Sequence, residues 1–417
     1  MDRCDVAIIG AGPYGLSIAA HLRQIQGLDV RMLGEPMSFW ERYMPEGMRL
    51  RSPWAASNIS DPDGRFSLDT YRAASDRRTL GYPIPVSEFI TYGRWVSDRL
   101  NLPLQRSNVR RIELDRGGYL LALDDDTTLR ARRVVVACGI QPFKYRPPMF
   151  EGLPGELVSH TSERREYNAF RDKNVLVIGA GQSALEAAGF LNRAGARAEV
   201  LIRNPGVHWL GRRPWMKSKA FGWIFYGRGD IGPAFVSHVV QHPHLFRRLP
   251  RALQSWWGPR SIRPAVLDRL TPEMLNVPIR TERFPVAAKA EGDRLRVRLN
   301  DGTDRVVNHV VLGTGYRVNI TRYPFFTAAL CDRIAQTDGY PRLDLGFETT
   351  LPGLHIVGAP AAWSFGPLMR FVAGAEFTSR TVAHRIASAP SRSGVNVPEL
   401  QMIPEQPGSS ADRLSTV

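Results

Sequence analysis

Three cysteines in 417 residues, Cys4, Cys138 and Cys331, stand far apart and form no CxxC. They leave no material for a disulfide scaffold or for a dithiol that trades electrons with disulfides. No zinc-ligand spacing and no helix-turn-helix signature occurs. No apolar run approaches the ~20 residues of a membrane-spanning helix. Lysine is scarce: five of the 55 basic residues are lysine and the other 50 are arginine. The formal charge of +15 is therefore an arginine excess spread through every segment. Without a single basic tract it argues against nucleic acid and for attraction of anionic nucleotides or an acidic partner. A charged-then-apolar leader with a small-residue cleavage site is missing too, so a cytoplasmic location is expected.

What is present is a pair of glycine loops. Gly10-Ala11-Gly12-Pro13-Tyr14-Gly15 and Gly179-Ala180-Gly181-Gln182-Ser183-Ala184 each follow a short apolar run and lead into a helix-compatible one. In such a unit the first glycine makes the turn and the second admits the pyrophosphate. The third packs helix on strand, and the phosphates sit on the helix N-terminus. Two loops in that context predict two bound dinucleotides. After the second strand of the first unit, Glu35 follows Gly34 and is positioned for the ribose hydroxyls. In the second unit the run Ala198–Ile202 ends in Arg203 with no acid after it, which suits a 2′-phosphate and so NADPH over NADH.

Residues 85–100 read as an amphipathic helix, and runs at 109–114, 119–123 and 133–137 as a β-meander. A similar pattern recurs at 295–300 and 310–316. The fold class is α/β, with two Rossmann-like domains and the NADPH domain inserted into the FAD domain. The expected boundaries are 1–165 and 305–390 for the FAD domain and 166–304 for the NADPH domain. An aromatic, basic insert occupies about 207–275. Residues 391–417, rich in Ser, Pro and Gly, read as a disordered tail.

These residues resemble the FAD- and NADPH-dependent monooxygenases, the group of flavin-containing and Baeyer-Villiger monooxygenases and lysine/ornithine N-hydroxylases. The resemblance spans roughly residues 4 to 385. It rests on both loops, on the segment from Phe150 to His160, on Val311-Leu312-Gly313-Thr314-Gly315-Tyr316, and on the terminal Gly-Leu-His-Ile-Val-Gly. Segments 40–48 and 88–96 look most like the N-hydroxylases. The chain departs from the pattern at Gly155, five before His160, at Arg164 in place of an aromatic, and at Gly313 in place of Ala. The Lys and Asn that hold an amino-acid substrate in the ornithine enzymes have no counterpart.

The resemblance implies FAD contacts from Gly10, Gly12, Pro13, Tyr14, Gly15, Glu35, Trp40, Met48, Gly139, Gly358 and Gly366. NADPH contacts are implied from Gly179, Gly181, Gln182, Ser183, Arg203, Arg212, Gly315 and Tyr316. No metal is implied. It further implies oxygen transfer from O2 through a flavin C4a-hydroperoxide to a small-molecule amine, with sulfur or carbonyl as alternatives. Asn58 is the amide placed to steady that oxygen, or else a turn residue before Asp61-Pro62. Trp40, Trp54 and Trp363 are candidates to wall the flavin, and His160 to order the linker. The rival readings are an NADPH oxidase or reductase and a nucleotide-holding redox sensor. The insert is open to three readings: a membrane-surface helix, a substrate lid, or a subdomain packed on the core or a second subunit.

Overall fold

The computed structural model describes residues 2–77, 80–210, 231–233, 235–267, 270 and 272–388. The expected tail at 391–417 and Arg212 lie outside them. The first sheet grows from β1 (Asp2–Ile9), fully buried over its last residues. Parallel to it run β2 (Val30–Leu33) on one side and β6 (Thr128–Val136) on the other. β3 (Leu104–Gln105) extends the β2 edge. β4 (Val109–Asp115) and β5 (Gly118–Leu123) make the expected meander with β6. β6 changes partner along its length. Its first half pairs antiparallel with β5, while Val134 to Val136 pair parallel with β19 (Leu354–Ile356).

The second sheet is all parallel, in the order β12 (Ile279–Thr281), β9 (Arg197–Ile202), β8 (Asn174–Ile178), β16 (His309–Leu312), β7 (Val158–His160). Its central strands are apolar over Val175–Ile178, Val200–Ile202 and Val310–Leu312, as strands covered on both faces must be. β10 (Trp209–Leu210) and β11 (Val266–Leu267) form a short separate pair. β13 (Pro285–Glu291), β14 (Arg294–Leu299) and β15 (Asp304–Val307) form a three-stranded sheet of their own. Unlike the first meander, this one does not run on into the parallel sheet. Asn308 breaks it by exchanging hydrogen bonds with the backbone of Asn174. By sheet membership the chain crosses between residues 136 and 158 and again between 312 and 354, not at 165 and 305.

Both glycine loops open helices: α1 (Pro13–Leu22) after Gly12 and α5 (Gln182–Arg193) after Gly181. Between these in sequence lie α2 (Ser38–Tyr43), α3 (Leu68–Ala74) and α4 (Val86–Leu100), the last beginning where the apolar spacing after Pro85 predicts. The insert folds as α6 (Val236–Val240), α7 (Pro243–Arg248) and α8 (Arg251–Ser261), with Pro250 separating the last two. The chain closes with α9 (Gly374–Ser388), which packs on α1.

The two nucleotide units differ by an exchange of one methyl group. In the first, the helix carries Gly15, whose Cβ would stand 1.9 Å from the Gly10 carbonyl, and the strand end carries Ala137. In the second, the helix carries Ala184 and the equivalent strand end is Gly313, whose Cβ would stand 2.4 Å from that of Ala184. Ala137 and Gly313 are equivalent because their amides donate to the last residues of β1 and β8, Ile9 and Ile178, each at 2.8 Å. The Gly313 departure thus compensates for Ala184. Gly313→Ala is expected to destabilise the protein by about 1–3 kcal/mol through overpacking. Ala184→Gly should recover only part of it, because the Ala184 Cα still lies 2.8 Å from the added carbon. Denaturant midpoints of the two single variants and the double variant check this.

Candidate functional site: a shared dinucleotide cavity

A cavity of about 1590 Å³ lies between the two sheets and is walled by residues of both glycine units. A typical ligand pocket is ~300–1,000 Å³, so this one exceeds the room that a single ligand takes. Gly10, Gly12, Pro13 and Tyr14 line it from the first loop, with Trp40, Met48, Gly139 and Gly358. Gln182, Ser183, Gly315 and Tyr316 line it from the second unit. Sequence reasoning named these twelve, and the fold brings them together. Gly15 and Gly179 are turn and packing residues behind the wall, as their places in the loops require.

Gly12 and Gly181 both have extended backbone as the N-caps of α1 and α5. A Cβ on Gly12 would meet no protein atom within 4 Å, so the only thing its absence spares is space in the cavity. Neither helix has a side-chain cap, which leaves its first N–H groups to a phosphate. That open cradle fits FAD at the first loop and a pyridine nucleotide at the second. Tyr14 is fixed by sharing its hydroxyl proton between Met369 O (3.0 Å) and Phe371 O (2.9 Å). Gln182 is held at both ends: its Nε2 donates to Glu186 Oε1 at 2.7 Å and its Oε1 accepts from the Leu267 amide at 3.0 Å. The return strand of the insert is thereby tied to the second loop.

Glu35 and Arg203 stand at the ends of β2 and β9, outside the cavity wall. Glu35 Oε1 accepts from Arg106 at 3.0 Å. Arg203 is exposed and has no ion-pair partner among the described residues.

Two assignments need correction. Asn58 does not line the cavity. Its Nδ2 donates to Ala55 O at 3.2 Å and its Oδ1 accepts from the Leu68 amide at 2.8 Å, so the amide braces the start of α3, away from the cavity wall. Gly366 is a packing position: its Cβ would fall 2.5 Å from the Phe246 ring of α7, and the wall here is built by residues 369–373 instead. Of the three tryptophans, Trp40 alone lines the cavity; Trp363 lies under Arg251 and Trp54 under Arg72.

Sequence reasoning missed the cationic wall. Arg49, Arg51, Arg260, Arg263 and Arg370 line the cavity, and Glu186 is its one acidic residue among those described. With arginine spread along the whole chain, nothing local marked these five. Cys138 lines it too. Its Sγ donates to Ile9 O at 3.3 Å, and burial pushes the thiol up to about 12, so it stays protonated. All three cysteines are free.

His160, at the end of β7, is buried with Nδ1 on Ser162 Oγ (2.8 Å) and Nε2 on Gly315 O (3.2 Å), edge-on to Tyr316. It ties the end of β7 to the Gly315–Tyr316 segment of the cavity wall, within the second unit and beyond the crossing it was expected to order. His309, on β16, meets Ser159 Oγ at 2.7 Å and Glu156 O at 2.7 Å. Burial pushes each imidazole down to about 4 from its ordinary 6.5. Both are neutral in the folded chain, whereas the unfolded chain takes up protons below about pH 6.5. Their stabilisation is full above that pH and is lost as pH falls through about 4. The melting temperature should drop across this window, and His309→Gln should flatten the drop. An unchanged slope would remove His309 from the cause.

The family model described as pyridine nucleotide-disulphide oxidoreductase matches residues 4–384. The chain belongs to this family. It is an oxidoreductase that uses FAD and NADPH. A curated relative, the FAD-dependent urate hydroxylase of Xanthomonas campestris pv. campestris, is 31% identical over 216 residues, 49% of this chain and 46% of that protein. The indole-3-pyruvate monooxygenase YUCCA1 of Oryza sativa subsp. japonica is 27% identical over 331 residues, 75% of this chain and 77% of that protein. The reduced ornithine hydroxylase PvdA of Pseudomonas aeruginosa superposes with a TM-score of 0.74 at 19% identity, over 92% of this chain and 99% of that one. The flavin-containing monooxygenase of Stenotrophomonas maltophilia gives 0.64 at 18% identity, over 93% and 98%. At such identities the structural likeness speaks for the fold. The resemblance to flavin-dependent monooxygenases is borne out. No helix among the described residues is long and apolar enough to cross a membrane.

Proposed function

We propose that the chain is a monooxygenase that transfers one atom of O2 to a small organic acceptor, with an amine nitrogen as the first candidate. The observation that carries this is the single cavity onto which both nucleotide loops open, with no cysteine pair beside it. FAD, when bound, would supply the chemistry of hydride acceptance from NADPH and of O2 activation; the chain's own residues bind, orient and exclude water. The N–H groups opening α1 and α5 hold the two pyrophosphates. Glu35 takes the flavin-side ribose and Arg203 the 2′-phosphate. Trp40, Met44, Met48 and Val372 keep water from the reacting region.

Nitrogen stands first because segments 40–48 and 88–96 resemble the N-hydroxylases. A disulfide-reductase reading, suggested by the family's description, lacks support. It requires a thiolate, and Cys138 is held protonated with no second cysteine in the wall.

The test is NADPH consumption, peroxide release and product mass with a panel of amines, sulfides and ketones. Oxygenation of an amine with a matching fall in peroxide supports the proposal. Oxidation confined to sulfides or ketones moves the acceptor and keeps the oxygenase. Stoichiometric peroxide with every compound makes the chain an oxidase, and FAD that NADPH never bleaches makes it a sensor.

A further inference from the structure

From residue 204 to 267 the sequence carries eight arginines and two lysines against one acid, Asp230. Within this stretch the described residues 235–267 hold no Asp or Glu at all. The same stretch exposes large apolar side chains: Phe235 is 62% exposed, Leu245 52%, Leu253 40% and Trp256 52%. A subdomain that needed only to pack on the core would bury these. It does pack on the core, through other residues. Phe246 fills the space beside Gly366, the Arg247 guanidinium donates to Leu343 O and Asp344 O, and Arg251 donates to Trp363 O. Leu245, Leu253 and Trp256 stay exposed beside these contacts.

On α8, Leu253, Trp256 and Arg260 recur at helical spacing, and the Arg260 guanidinium lies 4.1 Å from the centre of the Trp256 ring. Arg248 follows Leu245 by three residues on α7, and both are exposed. Apolar and aromatic tips beside arginines, with no acid to repel a negative surface, match the two requirements for holding a bilayer interface: apolar insertion and attraction to anionic headgroups. The subdomain is also a wall of the cavity, through Ile231, Gly232, Pro233, Ile262 and Arg263.

We propose that the face formed by α7 and α8 docks the protein on an anionic lipid surface, which brings the cavity wall beside the bilayer. The charge decides for lipid phosphate over an uncharged interface, and the exposed tryptophan and leucines decide for a bilayer over an acidic protein. The proposal is independent of which acceptor is oxygenated.

The experiment mixes the full-length holoenzyme with vesicles of phosphatidylcholine alone or with added phosphatidylglycerol, and measures bound protein by sedimentation. Binding is expected to the phosphatidylglycerol vesicles and to fall with salt. Arg248→Glu changes the charge by two units and should weaken it about 25-fold, at about fivefold per unit charge at such a surface. Leu253→Glu with Trp256→Glu should abolish it. FAD content and the rate of flavin reduction by NADPH should stay at wild-type values in both, which shows that the fold is kept. Leu114→Glu, at an exposed leucine of β4 in the first sheet, is the control and should bind normally. Three results overturn the proposal: no binding to either vesicle at low salt, equal binding to both, or binding unchanged in the α7 and α8 variants. Retention on immobilised polyglutamate without vesicle binding also overturns it and assigns the face to an acidic protein.

Discussion

Gly12→Glu should give a folded, colourless protein. Gly12 has an extended backbone that any residue adopts, and an added Cβ meets nothing, so the substitution costs the polypeptide little. The glutamate instead puts its bulk and charge where the pyrophosphate approaches the α1 N-terminus. Loss of essentially all flavin absorbance with a melting temperature near that of the wild-type apoprotein is the expected pair of readings. Gly15→Ala separates cause from effect. It should also lose flavin, but through the fold, because its Cβ would stand 1.9 Å from the Gly10 carbonyl. A Gly12→Glu protein that keeps stoichiometric FAD would sink the assignment of the first loop.

Arg203→Ala should raise the KM for NADPH by about 10- to 150-fold, the equivalent of ~1.5–3 kcal/mol for a charge-assisted contact. NADH has no 2′-phosphate and its KM should hardly change. Arg203 is exposed at the end of β9 and no carboxylate among the described residues engages it, so its charge is free for the ligand. Equal effects on both coenzymes would mean that Arg203 is a surface charge, and Arg212 in the insert would be next to test.

The glycine loops, their strands and helices, and the first meander were legible because each is local. Periodicity, turn residues and loop spacing lie within some twenty residues. Of the second meander only β14 was legible, at 295–300; β13 and β15 were not read, and the run at 310–316 belongs to β16 of the parallel sheet, set apart where Asn308 bonds to Asn174, far off in sequence. β7 escaped because three residues give no period to read. The roles of Asn58 and Gly366 were misread for the same reason: what decides them is a partner elsewhere, the Leu68 amide and the Phe246 ring. The insert was readable as basic and aromatic, and its helices fall where Pro243 and Pro250 allow. That it forms one wall of the cavity depends on the fold alone.

Tyr14 sits on the first glycine loop, yet its hydroxyl is held by carbonyls at 369 and 371, the first of them 355 residues away. α1 rests on α9, and the inner half of β6 waits for β19. A chain emerging from the ribosome therefore displays the first glycine loop some 355 residues before it completes that loop's support. Closing so long a loop is slow, and it cannot be brought forward by local structure. A product that stops short of residue 371 is accordingly expected to carry an intact loop sequence without the carbonyls that hold Tyr14.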